Sequence, residues 1–136
     1  MRRLNTHIVC QNNLAENYTM PFTSASISIT PTMMAETIDG NIAMIDGCNP
    51  TVTIVTPQGA TVSTISLSFL PSYIAIDTHG TGDMYFSVPS ELRIYRTDST
   101  GNVTITGPQS EVQLGSIAVS PNGTTIYVFV GYYRDT

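Results

Sequence analysis

The stretch Ser116 to Val128, SIAVSPNGTTIYV, is two short apolar strands around a tight turn, and versions of it recur along the chain. A looser copy, YIAIDTHGTGDMYF, runs from Tyr73 to Phe86. Ile117, Ala118 and Val119 align with Ile74, Ala75 and Ile76 at an offset of 43, and Ile126 to Val128 align with Met84 to Phe86 at 42. Further upstream, MMAETIDGNIAMI (Met33 to Ile45) has the same form. Asp39-Gly40 is expected to give the positive φ angles of a primed hairpin turn, with Asn122-Gly123 doing similar work in the last copy.

The segments between these hairpins repeat as well. TVTIVTPQGATVSTI (Thr51 to Ile65) matches LRIYRTDSTGNVTI (Leu92 to Ile105), each an alternating strand, a polar Gly-containing turn and another alternating strand. Ala25, Ile27 and Ile29 align with Ile65, Leu67 and Phe69 at an offset of 40, which sets Pro31 beside Pro71. Runs such as YIAI, MYFSV and IYVFV are nearly continuous in apolar residues, as strands covered on both faces are. LRIYR, NVTIT and TVTIV alternate, as half-exposed strands do. Two buried strands followed by two exposed ones describe a radial sheet, and no helical period is visible. The fold class is all-β.

Four strands in 40 to 43 residues is the spacing of a β-propeller blade. The hairpin SIAVSPNGTTIYV resembles the YVTN and NHL families of propeller repeats over roughly residues 31–130. That resemblance implies an architecture of propeller-like repeats, about three blades per chain, and little about activity, because such repeats host unrelated roles. A β-sandwich or jelly roll is the alternative for short strands with regular turns. The expected organisation is one all-β domain over 1–136: a half unit at 1–30, repeats at 31–70 and 71–110, and a half unit at 111–136.

Three blades are fewer than the four to eight that usually close a propeller. The opening strands at 22–29 and the closing hairpin at 116–130 are therefore expected at sheet edges between subunits or where the chain closes. The expected partner is a second copy, in a six-blade ring with shared blades, since closed symmetry is the rule for homo-oligomers. If the fold is a sandwich, an edge-to-edge trimer is the counterpart.

Composition narrows the function classes. The net charge of −5, with no lysine among the five basic residues, argues against nucleic acid and against an anionic membrane surface. Charged residues make up 11% of the chain, and Ser, Thr, Asn and Gly take the surface role, as in secreted or virion-borne β proteins. An extracellular or virion location is thus favoured over the cytoplasm. MRRLNTHIVCQNN lacks the apolar core of a signal peptide, and no apolar run approaches the ~18 residues of a membrane helix. Sequons at Asn17, Asn102 and Asn122 matter only in a eukaryotic secretory pathway. Cys10 and Cys48 lie about one repeat apart, too far in most such arrangements to bond, so two free thiols are expected, with a disulfide as the alternative.

The chain is poor in catalytic groups. Asp77, His79 and Asp83 form the one local cluster able to bind a divalent metal, and a solvated turn explains the same residues. His7 stands apart in the N-terminal segment. Lactonase-type propellers set acidic and amide ligands around calcium on inner strands, and Glu36 and Asp77 imitate part of that set, but the aligned position in the third copy is Ser120. No GxSxG elbow, phosphate loop or dinucleotide fingerprint is present. The C-terminal GYYRDT reads as a contact patch or a frayed end. No catalytic, cofactor-binding or metal-ligating residue is assigned, no cofactor is expected, and the chain is not expected to be an enzyme. The function expected is a structural or binding module that acts as an oligomer, for example a virion decoration or tail-associated protein. The alternatives are a glycan-binding module that stacks tyrosines on sugar rings, and a metal-dependent lactonase-like hydrolase. Other structural proteins and glycans complete the expected partners.

Overall fold

The computed structural model describes residues 31–131. The half unit at 1–30, with His7, Cys10 and the 22–29 strand, lies outside the described residues, as do residues 132–136. Ten strands and no helix make up the described chain. Strands β1 (Met33–Glu36), β2 (Ile42–Ile45), β3 (Thr51–Val55) and β4 (Thr61–Ser66) form one antiparallel sheet in sequence order. Strands β5 (Tyr73–Ile76), β6 (Met84–Val88), β7 (Arg93–Thr97) and β8 (Val103–Thr106) form a second in the same order. Strands β9 (Gln113–Val119) and β10 (Ile126–Gly131) pair as a third, two-stranded sheet.

The three sheets fan out from their first strands. β5 packs against β1 on one side and β9 on the other, and β6 also meets β9. The core lies between the first two sheets. Ala43, Ile45, Val52 and Ile54 face Ile74, Met84, Phe86 and Val88, with Leu67 and Phe69 of the connecting segment closing the gap. The register accounts for this set, because Ala43 pairs with Ile54 and Ile74 with Phe86, so each pair shares one side of its pleat. The Phe69 ring stacks on Tyr95 at 4.2 Å and meets Phe86 edge-on at 5.2 Å.

The middle sheet is covered on both faces. Ala75, Tyr85 and Ser87 have the opposite parity to the core set and are buried too, on the side of β9. This is why MYFSV is apolar at four of its five positions and buried at all of them. The most buried strand of each of the first two units is the second one, whereas β1 alternates between half-buried and exposed residues. That refines the expectation of two buried inner strands. β1 leads the fan, and among the described residues only one of its pleat faces meets a neighbouring sheet, whereas β5 has one on each side. At the rim, β4 and β8 are mostly exposed.

The hairpin turns correct a second expectation. Gly40, Gly59, Gly82, Gly101 and Gly123 all have positive φ, and Leu92 is the one non-glycine with positive φ among the described residues. A type I′ turn needs two successive positive φ angles, which Asp39 and Asn122 do not supply. Each loop instead places a single left-handed glycine at its end, as a type I turn closed by a bulge does. Cys48 is disulfide-bonded, which corrects the expectation of two free thiols. Repeat spacing along the sequence was a poor guide to distance here, because a bond depends on where the chain brings the two sulfurs in space.

Candidate functional site: the turn face

The turns between the first and second strands of the three sheets gather at one end of the fan, and each opens on an oxygen-bearing side chain. Thr37 Oγ1 accepts the Asn41 N–H at 3.0 Å. Asp77 Oδ1 accepts the N–H groups of His79 and Gly80 at 3.1 and 3.0 Å, and its Oδ2 accepts that of Thr81 at 3.3 Å. Ser120 Oγ accepts the Thr125 N–H at 3.1 Å. Strand ends fix the equivalence: Glu36 pairs with Ile42, Ile76 with Met84 and Val119 with Ile126. Thr37, Asp77 and Ser120 therefore correspond, and Glu36 lies one residue earlier, exposed at the end of β1. The expected partial ligand set of Glu36 and Asp77 thus does not share a position in the fan.

The outer turns follow the same grammar. Thr56 Oγ1 accepts the Ala60 N–H at 3.1 Å, and Asp98 Oδ1 accepts those of Thr100 and Asn102 at 2.9 and 3.0 Å. Threonine, aspartate or serine begins each of these five turns, with a positive-φ glycine three residues later except in the longer Asp77 turn. A short oxygen-bearing side chain satisfies the N–H groups that the turn leaves outside the ladder, so these residues have a backbone reason to be there.

Neighbouring turns also interlock. A Cβ placed on Gly82 would stand 2.9 Å from Ile38 Cγ2, and one on Gly123 would stand 2.7 Å from Asp77 Oδ2. The turn glycine of the second and of the third unit is thus the seat for a side chain of the unit before it. Asp77 is buried beneath that seat.

The sequence cluster of Asp77, His79 and Asp83 does not converge. Asp77 is turned into its own loop. Asp83 Oδ2 accepts from Arg96 Nη2 at 2.6 Å and from Arg96 Nε at 2.9 Å. The Arg96 guanidinium lies 5.4 Å from the Tyr85 ring centroid, where the ring face attracts its charge. His79 Nδ1 shares a 3.2 Å hydrogen bond with Thr78 Oγ1. Among the described residues no group of three His, Cys, Asp or Glu is placed to hold a metal ion.

Electrostatics agree with the geometry. The backbone N–H of Thr81, with those of His79 and Gly80, holds the Asp77 carboxyl below the usual carboxylate range. The Thr100 hydroxyl, with the Thr100 and Asn102 N–H groups, does the same for Asp98. At Asp46 burial pushes the carboxyl up, but bonds from the Asn49 side chain and the Cys48 and Asn49 N–H groups outweigh it and the net shift is downward. All three carboxyls favour the charged form more when folded, so their contribution is present above the unfolded pKa of ~3.9 and disappears as pH falls through the lower folded values. Thermal melts from neutral pH to 2.5 are expected to stay level down to about pH 4 and then drop, with Asp98→Asn reducing the drop. A melting temperature that falls steadily between pH 7 and 5 would contradict this.

No protein-family model and no curated protein matches the sequence. Solved structures do. The hydrazine synthase of Kuenenia stuttgartiensis superposes with a TM-score of 0.58 at 16% identity, over 82% of this chain and 32% of its own. Streptogramin B lyase gives 0.52 at 15% identity, over 88% and 44%. Both are β-propeller proteins. The fold is propeller-like. An auxiliary nutrient binding protein from Bacteroides ovatus gives 0.55 at 17% identity, over 77% of this chain and 26% of its own. The chain spans less than half the length of each of these proteins. At these identities the similarity is one of fold, and the sheets described above are its blades.

Proposed function

We propose that the chain is a non-catalytic structural or binding module built from repeats of the YVTN/NHL kind, acting within a larger assembly such as a virion. The observation that supports this reading is the use made of its polar side chains. Asp46, Asp77 and Asp98 bind their own turns, Asp83 binds Arg96, and Glu91 Oε1 accepts the Tyr95 hydroxyl at 2.6 Å. These carboxylates organise the fold, and a reaction centre needs groups left to meet a substrate. The low charge and Ser/Thr-rich surface fit an extracellular or particle-borne protein.

Glycan binding has less support. Among the described tyrosines Tyr85 is buried, Tyr73 and Tyr95 are half-buried, and Tyr127 alone is exposed. The test of the main reading is sedimentation of a lysate from the source cells. The chain is expected to travel with large particles in stoichiometric amount. Recovery only as a free protein, or a lactone hydrolysis abolished by Asp77→Ala in a variant that still folds, would overturn it.

A further inference from the structure

Asn122-Gly123 is the one Asn-Gly pair in the chain, and it lies in the turn between β9 and β10 with the asparagine exposed. An asparagine that precedes glycine is open to an intramolecular reaction. The glycine nitrogen, unhindered because its residue has no side chain, attacks the asparagine Cγ. A bond forms between that nitrogen and Cγ, the Cγ–Nδ2 bond breaks, and ammonia leaves with the nitrogen's proton. Water then opens the cyclic imide at either carbonyl, giving aspartate or isoaspartate. Water is the only other reactant, and nothing is oxidised or reduced. The corresponding turns are built differently. Asp39 precedes Gly40 with an ionised carboxylate, a poor electrophile, and Thr81 before Gly82 has no side-chain carbonyl.

The folded turn commits both reacting groups elsewhere. The Gly123 N–H donates to the Ser120 carbonyl oxygen at 2.9 Å and closes the turn. Asn122 Oδ1 accepts from Ser120 Oγ at 2.6 Å, from the Thr124 N–H at 3.1 Å and from Thr124 Oγ1 at 2.7 Å. Cyclisation requires the nitrogen to leave its acceptor and the carboxamide to turn away from three donors. A group held in this way reacts through the fraction of molecules whose turn has opened.

Gly123 also supports its neighbour. Its φ is 71°, and its bare backbone lies against the buried Asp77, with Oδ2 2.7 Å from where a Cβ would stand. Asp77 in turn accepts the N–H groups of His79, Gly80 and Thr81. Isoaspartate at 122 routes the main chain through the side-chain carbon and lengthens it by a methylene. Gly123 then no longer reaches both the Ser120 carbonyl and Asp77. Either product also puts a negative charge next to the residue seated on Asp77, where like charges repel.

We infer that Asn122 is a site of spontaneous deamidation, guarded by its own turn, whose conversion unseats the third unit from the second. The test incubates the intact chain in mildly alkaline buffer, folded in one sample and unfolded by guanidinium chloride in the other. Peptide mapping then locates aspartate and isoaspartate. In the unfolded sample conversion is expected first at Asn122, and in the folded sample at least ~10-fold more slowly. Thr124→Val removes one donor and is expected to speed the folded reaction ~3-fold while leaving the unfolded one unchanged. Equal rates in the two samples, or faster conversion of another asparagine in the unfolded chain, would overturn the assignment. The converted chain, separated by its extra charge, gives a reading that needs no variant. Its His79, Gly80 and Thr81 amides are expected to exchange hydrogen at least ~5-fold faster, with those of Val52 and Ile54 unchanged. Unaltered exchange at all five would overturn the link between the two units.

Discussion

Phe86→Ala is expected to destabilise the fold by about 3–5 kcal/mol, the usual range for removing a fully buried phenylalanine. Phe86 has no exposed surface and meets Phe69 edge-on, so its loss leaves a cavity where the first two blades and their connecting segment converge. Neighbouring side chains fill such a space poorly. Phe69 is already stacked on Tyr95, and Tyr95 is held by Glu91. Domains of this size have only ~5–15 kcal/mol in total, so the midpoint of thermal unfolding should fall by ~10 °C or more. Val62→Ala, at an exposed position of β4, is the control and should change stability by roughly 0.5 kcal/mol or less. Equal losses from the two variants in a denaturant titration would show that Phe86 is not at the centre of the core.

Gly101→Ala is expected to cost about 2–4 kcal/mol, from two separate causes. Gly101 has a φ of 94°, outside the conformations an L side chain adopts readily, which accounts for ~1–2 kcal/mol. The added methyl also overlaps the Ile65 side chain and comes within 3.3 Å of the Ser66 carbonyl oxygen, an overpacking worth ~1–3 kcal/mol. Gly40→Ala bears comparable backbone strain, at a φ of 81°, without any such neighbour. The difference between the two variants therefore measures the contact between blade rims. Similar losses at both positions would mean that strain alone acts, and that the rims do not press on each other.

Much of the fold is legible in the sequence because period and alternation are physical consequences of packing. MYFSV is apolar at four of its five positions because a blade lies on each side of it, and VTIT alternates in β8, which stands exposed at the rim. Pattern does not say which strand of a pair faces the axis, since MMAE and IAMI are similarly apolar while their surroundings differ. The turn chemistry was half legible. Glycine marks most of the loops, but Asp-Gly reads equally as a primed turn or as the end of a longer one, and only the backbone angles separate them. The slip from Glu36 to Thr37 has the same origin, because loops of different length disguise equivalence until the strand ends are paired. The cluster of Asp77, His79 and Asp83 looked chemical for want of partners. Arg96 lies thirteen residues beyond Asp83 in sequence, and no local spacing announces that bond. The Cys48 disulfide was hidden for a related reason, since a cross-link depends on distances that the chain order does not contain.

The glycine seat also bears on how such a chain arises. Each turn makes its own hydrogen bonds, and each unit asks of its predecessor only one side chain for its glycine and one apolar face. Met33 and Tyr73 begin equivalent strands 40 residues apart, and the position equivalent to Tyr73 in the third unit, Ser116, lies 43 further on. A gene segment of about that length, duplicated in frame, would encode a unit whose leading seat fits the old trailing surface without further change. Loss of such a segment would be tolerated for the same reason. The number of blades in a lineage can then drift in whole steps, with ring closure as the filter on which counts survive.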